Sequence, residues 1–172
     1  MEKGNRPFII PVFIPHAGCP HQCVFCNQKA ITGTDQNNFS AARLRRRIEN
    51  FLEFKGSRSP SQIAFYGGNF LGLPEEKIKL LLEIAREFIR SEEIDSIRFS
   101  TRPDTIDKRR LDILSNYKVS DIELGAQSME DRVLNLSNRG HSAEDTEQAV
   151  KMIRERNKYR IGIQLMIGLP GE

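Results

Sequence analysis

The 172-residue chain has only three cysteines, Cys19, Cys23 and Cys26, and no apolar run long enough to cross a bilayer. An odd number of thiols excludes a closed disulfide framework, and residues 1–6, Met-Glu-Lys-Gly-Asn-Arg, do not lead into the apolar core of a signal peptide. The expected setting is the reducing cytoplasm, with no membrane partner. Internal repeats and low-complexity segments are also lacking, which argues against a solenoid or a disordered tail. Charge of one sign is scarce too: the formal net charge is +3. That small excess fits an RNA partner without demanding one.

What is present suits a soluble globular domain. Hydrophobic residues make up 38% of the chain, mean hydropathy is −0.47, and the length predicts one domain over residues 1–172 with a sizeable core. All three cysteines fall in one stretch, Ile14 to Gly33, spaced Cys-x-x-x-Cys-x-x-Cys directly after a short apolar run. Soft sulfur donors this close together read as ligands for zinc, copper(I) or an iron–sulfur cluster. The fourth ligand separates these cases. A structural zinc site is closed, and His16 or His21 could complete it as Cys3His. A four-iron cluster can instead rest on three thiolates and keep one iron open.

Alternation of apolar segments predicts five strands with helices between them. Phe8 to Ile14 reads as the first strand, with Pro11 marking an edge or bulge. A polar linker over Thr32 to Phe39 precedes a helix over Ala41 to Phe54, capped by Ser40. Gln62 to Tyr66 is the second strand, and Pro74 opens a helix to about Arg90. Ser96 to Thr101 is the third strand, followed by a helix over Ile106 to Asn116. Asp121 to Gly125 is the fourth, with a small helix over Glu130 to Leu136. A capping-box start at Ser142 then leads a helix to about Asn157, and Ile161 to Ile167 is the fifth strand. This order predicts a parallel α/β sheet whose ligands sit at the C-terminal ends of its strands, where every unusual motif falls. The basic cluster Arg43, Arg45, Arg46 and Arg47, with Lys55 and Arg58, lies opposite an apolar helix stripe. It reads first as a solvated face and second as a phosphate contact.

The three-cysteine loop after a first strand, together with Gly67-Gly68 after the second, resembles the radical S-adenosylmethionine (SAM) superfamily. Four later motifs narrow the resemblance: Thr101-Arg102-Pro103-Asp104, Glu123-Leu124-Gly125-Ala126-Gln127-Ser128, Asn138-Arg139-Gly140-His141-Ser142 and Gly168-Leu169-Pro170-Gly171. In this order they look like the radical SAM domain of the Elongator catalytic subunit family and, more weakly, oxygen-independent coproporphyrinogen III oxidases. The resemblance implies a partial (βα) barrel of TIM type, truncated after strand five. It also implies an enzyme in which a [4Fe-4S] cluster on Cys19, Cys23 and Cys26 reductively cleaves SAM to a 5′-deoxyadenosyl radical. An external donor such as flavodoxin or ferredoxin would supply the electron, and RNA is a possible substrate.

By the same resemblance, Gly67 and Gly68 offer main-chain groups to the SAM amino group, with Asn69 supporting them or merely turning the chain. Arg139 pairs with the SAM carboxylate, Gln127 bonds the sugar or adenine side, and Gln164 bonds a ribose hydroxyl. Gly168 and Ile167 line the adenine pocket, while Phe25 packs over the cluster or adenine. His141 positions its turn. Two features depart from the family pattern. Ser100 stands where the Elongator relatives carry a glutamate, and no cysteines remain for an auxiliary cluster. The chain also stops inside the Gly-Leu-Pro-Gly turn, which predicts that a further segment or a partner chain completes the barrel. The competing reading is a non-catalytic Cys3His zinc module contacting RNA.

Overall fold

The computed structural model describes residues 7–14, 18–27 and 40–172. The linker expected over 32–39 and the candidate ligand His16 lie outside them. Five strands form one fully parallel sheet in sequence order: β1 (Phe8–Phe13), β2 (Ser61–Tyr66), β3 (Ser96–Thr101), β4 (Val119–Gln127) and β5 (Arg160–Leu165). Helices α1 (Ala41–Leu52), α2 (Glu75–Arg90), α3 (Lys108–Ser115), α4 (Asp131–Leu136) and α5 (Ala143–Arg154) connect them. Short 3-10 turns sit at Phe70–Gly72 and Pro103–Thr105.

Strand order dictates where the site can lie. A parallel crossover is right-handed, so strands added one after another on the same side place every helix on the same face of the sheet. That covered face is apolar: Ile10, Val12, Ile63, Phe65, Ile97, Phe99, Ile122 and Leu124 are buried against Leu44, Ile48, Leu81, Leu82, Leu111 and Ile153 from the helices. Phe70 stacks between Phe65 and Phe99, with ring centroids 5.0 and 4.6 Å away. Helix starts follow local sequence. Ser40 and Asp107 cap α1 and α3, and Ser142 with Asp145 forms the expected capping box at α5.

The opposite face receives no helix among the described residues, and it is polar. Gln62 donates to Ser96 Oγ (3.1 Å), Ser120 Oγ (2.9 Å) and Asp121 Oδ2 (2.6 Å). Arg160 forks onto Asp121 at 2.8 and 2.9 Å, and Arg98 approaches Asp121 and Glu123. Most parallel sheets are apolar on both faces. A polar inner face on a singly wound, open sheet is the interior of a partial barrel.

Strand and helix placements follow the sequence reading closely, with two instructive differences. The fourth strand is four residues longer than the expected Asp121 to Gly125, because Ser120 and Gln127 belong to the polar face and do not read as core. The helix expected from Ile106 starts at Lys108 with Asp107 as its cap, after a 3-10 turn at Pro103–Thr105. Pro11 sits in an edge strand, as a residue without an N–H requires. Ile163, Leu165 and Ile167 are exposed at the other edge, β5.

Candidate functional site

All of the singled-out motifs gather at the C-terminal ends of the five strands. The cysteine loop follows β1 and is tied down at both ends. Its entry is stapled through Gly18, whose carbonyl accepts from Asn69 Nδ2 at 2.8 Å. Gly18 has φ +80°, and a Cβ there would fall 2.2 Å from the Asn69 carbonyl oxygen and 2.7 Å from the Gly72 carbonyl carbon. Only glycine fits this backbone-to-backbone contact. The far side is held by the turn after α4: Asn138 donates to the Gln22 carbonyl (2.8 Å), and the Val24 N–H donates to the Ser137 carbonyl (3.1 Å).

Within the loop the Cys26 N–H donates to the Cys23 carbonyl at 3.0 Å, a tight turn that sets these two cysteines side by side. Cys23 is buried, Cys26 half-buried and Cys19 exposed. Enough protein surrounds the Cys19 sulfur that desolvation still pushes its thiol up. Arg102 and Arg139 pull it back down, and the neighbouring Cys26 and Cys23 add to the rise. Phe25 is half-buried between Val24 and Cys26.

Two buried arginines close on this loop. Arg139, 7% exposed, points Nη1 at Cys23 Sγ (3.5 Å), donates from Nη2 to the Gly125 carbonyl and donates from Nε to His141 Nε2 (3.1 Å). His141 must then accept at Nε2 and carry its proton on Nδ1, which lies 3.1 Å from the Ser142 carbonyl. Burial lowers its pKa, and the two arginine charges lower it further against the Ser142 contact, so the ring stays neutral. Arg102, 2% exposed, forks Nε and Nη2 onto Asp104 at 2.9 Å each, while its Nη1 is buried with no hydrogen-bond partner among the described residues.

Gln127 ends β4 at φ +72°, a left-handed backbone that a non-glycine residue seldom adopts, beside a register shift between Gly125 and Gln127. A Cβ on Gly125 would lie 2.9 Å from Gln127 Nε2 and 3.0 Å from Arg139 Nη2. The bare glycine is thus the floor on which both side chains rest. After β2, Gly67 has φ +92° and packs against the Phe13 ring, while Gly68 lies in a crevice with Tyr66, Asn69 and Ser100. Gln164 on β5 donates to Glu123 Oε2 (2.8 Å) and Ser100 Oγ (3.3 Å), and Ser100 donates to the same Glu123 oxygen at 3.0 Å. A carboxylate on the neighbouring strand therefore fills the polar position beside Ser100. Tyr66 joins this group, its phenol pushed up by burial and then by the Glu123 charge. Gly168 lies apart, with φ +82° and open space around it, next to the exposed Ile167.

The sequence-expected residues thus divide into two sets. Cys19, Cys23 and Cys26 with Phe25 on one loop, Gly67 and Gly68 after β2, and Gln127 and Arg139 over Gly125 line the strand ends, with Arg139 against Cys23, whereas Gln164 and Gly168 lie further along the sheet edge. The geometry adds Arg102, Glu123 and Asn69, whose hub role only the fold reveals. Asn69 Oδ1 accepts from Thr101 Oγ1 (2.7 Å), the Arg102 N–H (3.0 Å) and Thr105 Oγ1 (3.0 Å) while its amide holds Gly18, so one side chain joins the loops after β1, β2 and β3. The Thr-Arg-Pro-Asp motif carried a signal for the Arg102–Asp104 fork, two residues apart across a proline.

The donor chemistry fits an iron–sulfur cluster. Three soft sulfurs share one loop, and Arg102, joined to that loop through Asn69, keeps a buried Nη1 with no hydrogen-bond partner among the described residues. Among the described residues no three of His, Cys, Asp and Glu gather as a single metal ion would require. His21 lies over Gly140, where a Cβ would meet its ring. The Cys3His zinc reading thus draws no support from the described residues.

A singly wound parallel sheet with a three-cysteine loop over its strand ends defines a class, and comparison with known proteins gives the same class. The chain belongs to the radical SAM superfamily, whose pattern matches residues 13–172. It is 31% identical to the uncharacterized protein MJ0486 of Methanocaldococcus jannaschii over 98% of the chain and 54% of that protein. In fold it is similar to the Elp3 of Methanocaldococcus infernus (TM-score 0.67, 23% identity, 96% of this chain and 39% of that one). It is equally similar to coproporphyrinogen III oxidase of Escherichia coli (TM-score 0.68, 23% identity, 98% and 38%). The chain thus spans about half the length of the first relative and less of the two solved structures. No helix among the described residues is long and apolar enough to cross a membrane.

Proposed function

We propose that this chain is the cofactor-binding part of a radical SAM enzyme, with Cys19, Cys23 and Cys26 as ligands of a [4Fe-4S] cluster and SAM lying across the C-terminal ends of β2, β4 and β5. The observation that carries the reading is the clamped cysteine loop, fixed over the strand ends by Asn69 and Asn138 and faced by Arg139. When bound, the cluster and SAM together supply reductive cleavage of the sulfonium and removal of a hydrogen atom from a substrate, with the electron coming from a flavodoxin- or ferredoxin-like donor.

The residues of the chain bind and orient. Gly67 and Gly68 lack Cβ atoms, so main-chain groups after β2 can approach the SAM amino group. The planar fork of Arg139, held by Gly125 and His141, suits a carboxylate. Gln127, held in its left-handed conformation above Gly125, presents an amide to the sugar or adenine side. Gln164, anchored on Glu123, is placed for a ribose hydroxyl, and Phe25, Ile167 and Gly168 supply apolar or open surface for the adenine.

Anaerobic reconstitution followed by iron and sulfide analysis tests the reading, with about four irons per chain expected. SAM should then alter the paramagnetic spectrum of the reduced cluster. Replacing any one of the three cysteines by Ala should abolish stable loading. Stoichiometric zinc with no iron–sulfur absorption, or full loading in all three variants, would refute it.

A further inference from the structure

Arg102 is a buried, strongly basic side chain at the site to which the functional reading assigns no task. It is 2% exposed, and its Nη1 has no hydrogen-bond partner among the described residues. A buried cationic arm left unpaired is costly. A fold keeps such an arm where another group supplies the missing negative charge. Its place is fixed from three directions. The Arg102 N–H donates to Asn69 Oδ1, Asn69 Nδ2 holds the carbonyl of Gly18 next to Cys19, and Asp104 takes the other edge of the guanidinium. Asp104 is the more exposed partner, at 23%, so water screens its charge more than that of Arg102. The uncompensated end of the pair is therefore the buried Nη1.

We infer that Arg102 sets the redox poise of the cluster carried by Cys19, Cys23 and Cys26, its buried unpaired Nη1 stabilising the extra negative charge of the reduced state and so raising the reduction potential. The inference rests on the functional reading above. The step is a one-electron reduction of the oxidised cluster by an added reductant such as dithionite, with no bond made or broken in the protein. Hydrogen bonds and charges beside a cluster are among the levers that set its potential. Arg102 acts through that field as a positioning residue and touches no substrate atom.

The test is a potentiometric titration of the anaerobically reconstituted chain, followed by its visible and paramagnetic spectra, for wild type, Arg102→Met, Arg102→Lys and Asp104→Asn. Arg102→Met is expected to shift the reduction equilibrium about tenfold toward the oxidised state, or 59 mV lower for a one-electron couple. Arg102→Lys should keep most of the wild-type potential, and Asp104→Asn, which removes the counter-charge, should move it upward. An unchanged potential in a fully loaded Arg102→Met protein overturns the inference. Equal shifts in the Met and Lys variants would also overturn it, because packing and not charge would then be responsible. If Arg102→Met does not take up cluster, Asp104→Asn decides: an upward shift supports the inference and none refutes it. A wild-type chain that loads no iron would instead refute the functional reading, and the inference with it.

Discussion

The two ends of the polar inner face solve opposite problems. At the N-terminal ends of the strands, Asp121 is saturated: Arg160 Nε donates to Oδ1 (2.8 Å), while Gln62 (2.6 Å), Ser120 (2.6 Å) and Arg160 Nη2 (2.9 Å) reach Oδ2. At the C-terminal ends, Arg102 Nη1 has no hydrogen-bond partner among the described residues and Gln127 holds a left-handed backbone. A saturated carboxylate ties neighbouring strands in register, although Arg98 Nε beside it has no hydrogen-bond partner among the described residues. Unspent bonding capacity and local strain at the other end are what a binding site retains for its ligand. The lower end thus serves the fold, and on the proposed reading the upper end serves the cofactor.

Gly18→Ala should be the most damaging change at the upper end. The added methyl would meet backbone atoms at 2.2 and 2.7 Å, none of which can rotate away, and φ +80° is itself unfavourable for alanine. We expect a loss of about 3 kcal/mol in denaturant unfolding and failure of the chain to retain iron. A variant with wild-type iron content would show that the staple to Asn69 does not position the cysteines.

At the lower end, Asp121→Ala takes one acceptor from the buried Gln62 amide and from Ser120 and leaves Arg160 and Arg98 without their carboxylate. About 2 to 3 kcal/mol should be lost, with iron loading retained in whatever fraction remains folded. Arg45→Ala, which breaks the exposed fork to Glu87, should by contrast cost under about 1 kcal/mol. If Asp121→Ala instead abolished loading in folded protein, the separation of the two ends would be wrong.

Acid should open the upper end first. The His141 pKa is lowered, chiefly by burial, so its contribution is complete above the unfolded value, about 6.5, and is lost as pH falls through the folded one. Burial alone would raise the Asp121 carboxyl, but the hydrogen bonds and charge of Arg160, with Ser120 and Gln62, outweigh it and hold it low. Its contribution is complete above the unfolded value, about 3.9, and fades only as pH falls further. Hydrogen exchange of the amides in 137–142 should therefore accelerate at mildly acidic pH while β4 amides stay protected. His141→Phe should remove the early step. Simultaneous loss of protection in both regions would contradict this order.

How much of this could be read from the chain follows the same division. Apolar periodicity located the strands, and the capping chemistry of Ser40, Ser142 and Asp145 located helix starts, because those signals are local. The cysteines and Gly67-Gly68 stood out because few structures require such residues at such spacing. Asn69, Arg102 and Glu123 stood in or beside quoted motifs, but what they bond did not show, since a polar residue near a strand end carries no local sign of its partner. Their partners lie 20 to 60 residues away, and only the parallel register brings them together. The basic cluster is similar. Arg45 bonds Glu87, Lys55 bonds the Glu93 carbonyl and Arg58 lies 4.3 Å from the Phe8 ring, contacts that composition alone does not show.

The smallest expected effect is also the sharpest test of strain held for function. Gln127 sits at φ +72°, where an L-residue gives up about 1 kcal/mol or slightly more relative to the right-handed region. Glycine adopts that backbone freely but brings a larger unfolded-state entropy, so Gln127→Gly should gain only about 0.5 kcal/mol. Its Nε2 has no role in the strand ladder; it lies over Gly125 beside Arg139. Stability should therefore rise slightly while SAM binding weakens by about tenfold, the loss of one hydrogen bond to a charged or polar group. Asn138 provides the control. It is also left-handed, at φ +52°, but its side chain holds the Gln22 carbonyl, so Asn138→Gly should lower stability. Denaturant midpoints for the two variants, with SAM titrations on the loaded protein, separate the cases. A fall in stability for Gln127→Gly would mean that its conformation is part of the scaffold and not a strain held for the ligand.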